Sequence, residues 1–176
     1  MCGASEVPHI VLTGFMATGK TEVGRRLARL LQRPFVDTDG IVEAAEGCSV
    51  AQVFASRGEA RFRELERAAV EQACAMQDAV IATGGGALLD PENRRRLAAA
   101  GPIICLAANP EDILRRTGNG ASRPLLAGTK GDRLARIKGL LAERAPAYAV
   151  ATHTIDTSGL SLDQVVERVR SLVSGR

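Results

Sequence analysis

The 176-residue sequence has no tryptophan and only five aromatic side chains, Phe15, Phe35, Phe54, Phe62 and Tyr148. So few rings exclude the stacked platforms that bind single-stranded nucleic acid. They also require a core of Ala, Val, Leu and Ile, which suits helices laid over a sheet. Cysteine is scarce: Cys2, Cys48, Cys74 and Cys105 form no C-x-x-C pair and have no histidine cluster beside them. They read as reduced, mostly buried small hydrophobes, not as a disulfide framework or metal site. The two histidines, His9 and His153, lie far apart and read as structural. No apolar run approaches the roughly 18 residues that span a bilayer, and Met1 to Pro8 has neither the basic nor the apolar part of a signal peptide. A cytoplasmic protein with no membrane partner is expected. Lysine is nearly missing as well: of 23 basic residues three are lysines, so a net charge of +3 rests on 20 arginines. That balance alone leaves a nucleic-acid binder as an alternative, one that predicts salt-sensitive binding to DNA.

What is present is the composition of an ordinary soluble protein, 45% hydrophobic and 24% charged, at a length that favours a single domain over 1–176. Apolar runs recur at Ile10–Leu12, Phe35–Val36, Ala79–Ala82 and Pro102–Leu106, with a weaker fifth at His153–Ile155. Each predicts a buried strand. Between them lie helical spacings: Val23, Leu27, Leu30 and Leu31; Val50, Val53 and Phe54; and Leu162, Val165, Val166, Val169 and Leu172. The alternation predicts an α/β fold with a parallel five-stranded sheet flanked by helices. Thr117 to Gly131 breaks the pattern with four glycines and Pro124, and reads as a mobile loop.

Directly after the first strand, Gly14-Phe15-Met16-Ala17-Thr18-Gly19-Lys20-Thr21 fits G-x-x-x-x-G-K-[ST] and opens into a helical pattern. Glycines let backbone N–H groups turn inward, and the following helix aims its positive end at the same point, so the loop is an anion cradle. Lys20 is placed for the β- and γ-phosphates and the Thr21 hydroxyl for Mg²⁺. The loop names a nucleotide, not a reaction. Asn-Lys-x-Asp and Leu-Ser-Gly-Gly sequences, which would point to a GTPase or a transporter ATPase, are missing.

Asp37-Thr38-Asp39 ends the second strand. If the strand runs through Asp39, both carboxylates face one side, able to hold Mg²⁺ or orient a hydroxyl; the alternative is that Asp39 caps the next helix. Arg63 and Glu66 are three apart on a helical pattern and can pair, which fixes a guanidinium fork suited to a carboxylate. Taken alone, that segment fits a solvated charged helix better than a binding site. Thr83-Gly84-Gly85-Gly86-Ala87 follows the third strand, where glycines admit a ligand close to the backbone. Arg123-Pro124-Leu125-Leu126 lies in the loop segment, and Arg144-Ala145-Pro146-Ala147-Tyr148 ends the helix after it.

Together with Ile41-Val42-Glu43, Gly58-Glu59, Phe62-Arg63, Arg116 and Asp156-Thr157, these residues resemble the shikimate kinase family in order and spacing over nearly the whole chain. The resemblance implies a P-loop NTPase fold of the nucleoside-monophosphate-kinase type, with an acceptor-binding region at about 38–66 and a lid at about 117–131. It implies ATP and shikimate as substrates, Mg²⁺ as cofactor and a monomer. Lys20, Thr21 and Asp37 would serve phosphates and metal, with Gly14, Ala17, Thr18 and Gly19 forming the cradle. Asp39 would contact the ring hydroxyls as candidate base; Arg63 and Arg144 would clamp the acceptor carboxylate; Gly84, Gly85 and Gly86 would offer backbone contacts. Phe62 would form an apolar wall of the acceptor site, a role that Phe54 shares with an equal claim on the core. Arg123 would neutralise charge on the transferring group, Arg116 would lie against adenine, and Glu66 would orient Arg63. One departure is Ala17, where the family commonly has glycine. Rival readings are a kinase for gluconate or a nucleoside monophosphate, and a nucleotide-binding module without catalysis.

Overall fold

The computed structural model describes residues 8–118, 126 and 129–174. Five parallel strands form one sheet in the order β2-β3-β1-β4-β5: β1 (Ile10–Thr13), β2 (Phe35–Asp37), β3 (Val80–Ala82), β4 (Ile103–Ala107) and β5 (His153–Asp156). All five predicted strands are present. β1 sits centrally, with Val11 registered against Ile81 on one side and Ile103 on the other. Its four residues, the apolar Ile10, Val11 and Leu12 and then Thr13, are all buried, as expected of a central strand with both sheet faces covered.

Alternate side chains feed two cores. Ile10 and Leu12 pack with Val23 and Leu27 of α1 (Lys20–Leu31) and with Val165, Val166 and Val169 of α7 (Leu162–Ser174). Val11, Ile81 and Ile103 meet the other layer: Val70 and Ala73 of α3 (Val50–Cys74), Leu97 of α4 (Pro91–Ala100) and Ala147 of α6 (Lys130–Tyr148). The apolar spacings lie where they were expected, although Leu30 and Leu162 at the edges of those stripes are exposed. α5 (Pro110–Arg116) adds Ile113 and Leu114 to a smaller cluster around Phe15, Leu126 and Ile137.

Local chemistry sets the boundaries. Asp90 caps α4 ahead of Pro91, Asn109 caps α5 ahead of Pro110, and Ser49 with Gln52 forms a capping box at the start of α3. Gly58 breaks α3, with φ 78 and ψ 171, so the segment before it and the segment from Glu59 are two helices meeting at a corner. The strand expected to run through Asp39 stops at Asp37, because Asp37 itself caps α2 (Thr38–Glu46), accepting from the Asp39 N–H at 3.1 Å. The cap therefore belongs to Asp37 and not to Asp39. His9 is structural, its Nδ1 accepting from the Ala79 N–H. Of the three cysteines described, Cys105 is buried while Cys48 and Cys74 are half-buried. Most of the loop expected over 117–131, Arg123 included, lies outside the described residues.

Candidate active site

The C-terminal ends of β1, β2 and β3 converge, each followed by one of the sequence motifs, which is where ligands bind in an open parallel sheet. After β1 the chain must pass tightly against β4: a Cβ on Gly14 would stand 2.2 Å from the Leu106 carbonyl oxygen, so no other residue fits. The buried Thr18 hydroxyl donates to the Phe15 carbonyl at 2.8 Å and closes the turn. Ala17 and Gly19 both have positive φ, 60 and 95. Gly19 is the N-cap of α1 and brings no capping side chain. The first helical N–H groups are thus left to an anion. Lys20 Nζ donates to the Gly14 and Phe15 carbonyls at 2.9 and 2.8 Å, which holds the ammonium over the loop.

Across the cleft, Thr21 Oγ1 donates to Asp37 Oδ2 at 2.7 Å. A hydroxyl and a carboxylate so joined are hard oxygen donors at the edge of the phosphate cradle. No cluster of three or more His, Cys, Asp or Glu able to hold a metal occurs among the described residues. A cation there fits Mg²⁺ in its nucleotide-bound manner, with few protein oxygens and the rest from phosphate and water. Asp39 stands beside them in a cleft of about 230 Å³ that is lined by Met16, Ala17, Gly19, Lys20, Thr21, Asp37, Asp39, Thr83 and Gly85. Burial, then the charges of Asp37 and Glu66, raise Asp39 from 3.8 to about 6, against the pull of Lys20. The group is a carboxylate near neutrality and accepts a proton easily.

The glycine segment after β3 packs under this carboxylate. The Gly84 N–H donates to Thr38 Oγ1 at 3.0 Å, and a Cβ on Gly84 would lie 2.6 Å from Asp39 Oδ1 and 3.0 Å from Glu66 Oε1. Two arginines from distant helices flank the same segment. Arg63 lies against Gly86, where a Cβ would come within 2.8 Å of Nη1. Arg144 donates to the Gly85 carbonyl at 3.2 Å, and the Tyr148 hydroxyl donates to the same oxygen at 2.7 Å. Each guanidinium stands over a ring, Arg63 at 5.4 Å from Phe62 and Arg144 at 5.3 Å from Phe15. Phe54 packs on Phe62 at 4.4 Å between centroids. Four of the five aromatic residues therefore pack beside the two guanidinium groups, while Phe15 and Phe62 also belong to buried apolar clusters. Glu66 is almost wholly buried; Oε2 accepts from Arg63 at 2.7 Å, and burial holds its carboxyl above the usual range. Arg116 donates to Thr157 Oγ1 at 3.1 Å and to its carbonyl at 3.0 Å, with Ala17 O at 3.5 Å, at the rim of the phosphate loop.

The family model described as shikimate kinase matches residues 16–174. The chain belongs to the shikimate kinase family. A shikimate kinase of Pelotomaculum thermopropionicum is 50% identical over 161 residues, 92% of each chain. One of Caldanaerobacter subterraneus is 48% identical over 161 residues, 92% of this chain and 93% of the other. Among solved structures, the shikimate kinase of Acinetobacter baumannii in complex with shikimate has a TM-score of 0.90 at 34% identity, covering 96% of this chain and 94% of that one. The five-stranded P-loop fold of the nucleoside-monophosphate-kinase type is thus the fold of this shikimate kinase family member.

Of the site residues expected from the sequence, Ala17, Gly19, Lys20, Thr21, Asp37, Asp39 and Gly85 line the cleft, Gly84 and Gly86 continue the segment that Arg63 and Arg144 meet, Arg116 stands beside Ala17, Phe62 packs in a core cluster under Arg63, and Arg123 lies outside the described residues. Reasoning from sequence did not single out Thr38, whose hydroxyl anchors Gly84. It looked like a spacer between two acids. Phe15 as the floor for Arg144 was equally unmarked, since a buried ring after a strand reads as core.

Proposed function

We propose that the chain is a shikimate kinase, transferring the γ-phosphoryl group of ATP to the 3-hydroxyl of shikimate to give shikimate 3-phosphate and ADP, a step toward chorismate and the aromatic amino acids. The observation that carries it is the placement of Asp39. Its carboxylate shares one cleft with Lys20 and Thr21 and lies over Gly84, while two arginines stand along the same glycine segment. The phosphate loop after β1, Asp39 after β2 and the glycine segment after β3 that the two arginines meet support a phosphate cradle, a proton acceptor and a carboxylate clamp in one place.

The loop amides and Lys20 hold the β- and γ-phosphates. Mg²⁺, with Thr21 and Asp37 as its protein partners, neutralises phosphate charge when bound. Arg63 and Arg144 take the acceptor's carboxylate, which turns its 3-hydroxyl toward Asp39; Phe62 walls the ring. Because the transition state is loose, alignment and charge neutralisation supply most of the acceleration. As the hydroxyl oxygen bonds to Pγ and the bond from Pγ to the β–γ bridging oxygen breaks, the hydroxyl proton passes to Asp39 and ADP leaves. Arg123 belongs to a lid over 117–131 that closes on the phosphoryl group and excludes water, and Arg116 flanks adenine from its anchor on Thr157. The acceptor-binding region runs from about 38 to 66, in one domain of a cytoplasmic monomer that binds neither nucleic acid nor membrane.

A coupled ADP-release assay with shikimate, gluconate and AMP offered separately tests the reading. Shikimate alone should be turned over; turnover with gluconate or AMP in its place overturns the acceptor, and ADP release with none overturns the enzyme.

A further inference from the structure

The guanidinium of Arg63 is already filled on two sides. Its Nη1 donates to Glu66 Oε2 at 2.7 Å, and its Nε and Nη2 both donate to Glu59 Oε1, at 3.3 and 3.0 Å. The two acids differ in kind. Glu66 has 1% of its side chain exposed and is a fixed partner, whereas Glu59 has 68% exposed and stands in water at the first position after the Gly58 break. The Nε–Nη2 edge is the side of an arginine fork that receives a carboxylate in parallel bonds. Here a carboxylate of the chain itself occupies it.

We propose that Glu59 is an internal stand-in for the acceptor's carboxylate: it holds the open edge of Arg63 until the acceptor arrives, then turns out to solvent. The inference rests on the reading of Arg63 as the acceptor clamp. Its cost falls on binding alone, because Glu59 touches neither the phosphate loop nor Asp39 in the contacts described. An exposed pair of this kind is weak, so the acceptor displaces it at a penalty of about 1.5- to 5-fold in affinity. In exchange, Arg63 keeps its fork geometry between turnovers and does not stand bare to other anions.

The experiment is steady-state kinetics and calorimetric titration with shikimate on Glu59→Gln. The expected result is a KM and a Kd for shikimate about 1.5- to 5-fold lower than in the parent, with kcat and KM for ATP unchanged and the gain shrinking as salt is raised. Glu64→Gln is the control: Glu64 is exposed, follows Arg63 directly but points away from it around the helix, and pairs with Arg61 instead, so its loss removes the same charge without touching the Arg63 fork. An unchanged or higher KM in Glu59→Gln, or an equal fall in Glu64→Gln, overturns the proposal. Arg63→Lys separates the role of Arg63 from that of Glu59. If that variant leaves KM for shikimate unchanged, the clamp reading itself fails; if it raises KM while Glu59→Gln does nothing, only the role of Glu59 fails.

Discussion

Replacing Asp39 with asparagine should stabilise the protein while disabling it. In the fold this carboxyl is raised from 3.8 to about 6 by burial and by the charges of Asp37 and Glu66. The folded form therefore holds the proton more tightly than the unfolded chain does. Its contribution to stability is present at low pH and is lost as pH rises through about 6. At about 1.4 kcal/mol per pH unit between the two values, and allowing for its partial exposure, ionised Asp39 costs the fold roughly 2 kcal/mol at neutral pH. Asparagine has the same shape without the charge, so Asp39→Asn should melt about 4–8 °C higher at pH 8. That advantage should close as pH falls toward 4, where the parent carboxyl is itself neutral. Turnover should drop by about a hundredfold or more through loss of the proton acceptor. Melting curves of both proteins from pH 4 to 8, alongside turnover at pH 8, read these effects together. A variant that melts lower than the parent at pH 8, or a melting difference that ignores pH, refutes the electrostatic account; near-normal turnover refutes the base.

Three further outcomes follow from the geometry. Arg144→Ala should raise KM for shikimate at least tenfold with a much smaller effect on KM for ATP, since Arg144 donates to the Gly85 carbonyl and meets the phosphate loop only through the Phe15 ring; a change confined to ATP contradicts the clamp. Gly84→Ala puts a methyl carbon 2.6 Å from Asp39 Oδ1 and should lower kcat by tenfold or more with the fold retained by circular dichroism; an unchanged kcat contradicts the placement of Asp39. Ala17 holds φ at 60, so Ala17→Gly should relieve strain and raise the melting midpoint by about 1–3 °C, a gain that scanning calorimetry resolves and that a lower midpoint would contradict.

The sheet and its two helical layers were legible because apolar spacing at periods of two and 3.6 records which face of each element is covered. Ile10, Val11 and Leu12 show this within three residues, the outer two facing α1 and α7 and the middle one facing α3 and α4. The phosphate loop was legible for a different reason: its glycines are fixed by close backbone approach, as at Gly14. What stayed hidden depends on contacts between distant residues or on a choice between equal neighbours. Asp37 and Asp39 are both good caps, and only the position of Thr21, 16 residues earlier, shows why Asp37 takes the cap and the hydroxyl together. The meeting of Arg144 and Tyr148 on one carbonyl, 59 and 63 residues from Gly85, has no local signature. Gly58 stands inside a helical pattern that gives no sign of a break, yet its positive φ turns the chain and sets where the helix bearing Arg63 begins.

A shikimate kinase moves phosphorus from ATP to one hydroxyl of one small acid. Proton-coupled phosphorus NMR of a reaction with ATP, Mg²⁺ and shikimate tests it most directly. The predicted result is a single new phosphomonoester, coupled to the ring proton at carbon 3 and formed in step with ADP. Release of inorganic phosphate without an ester, or an ester on another hydroxyl, would contradict it.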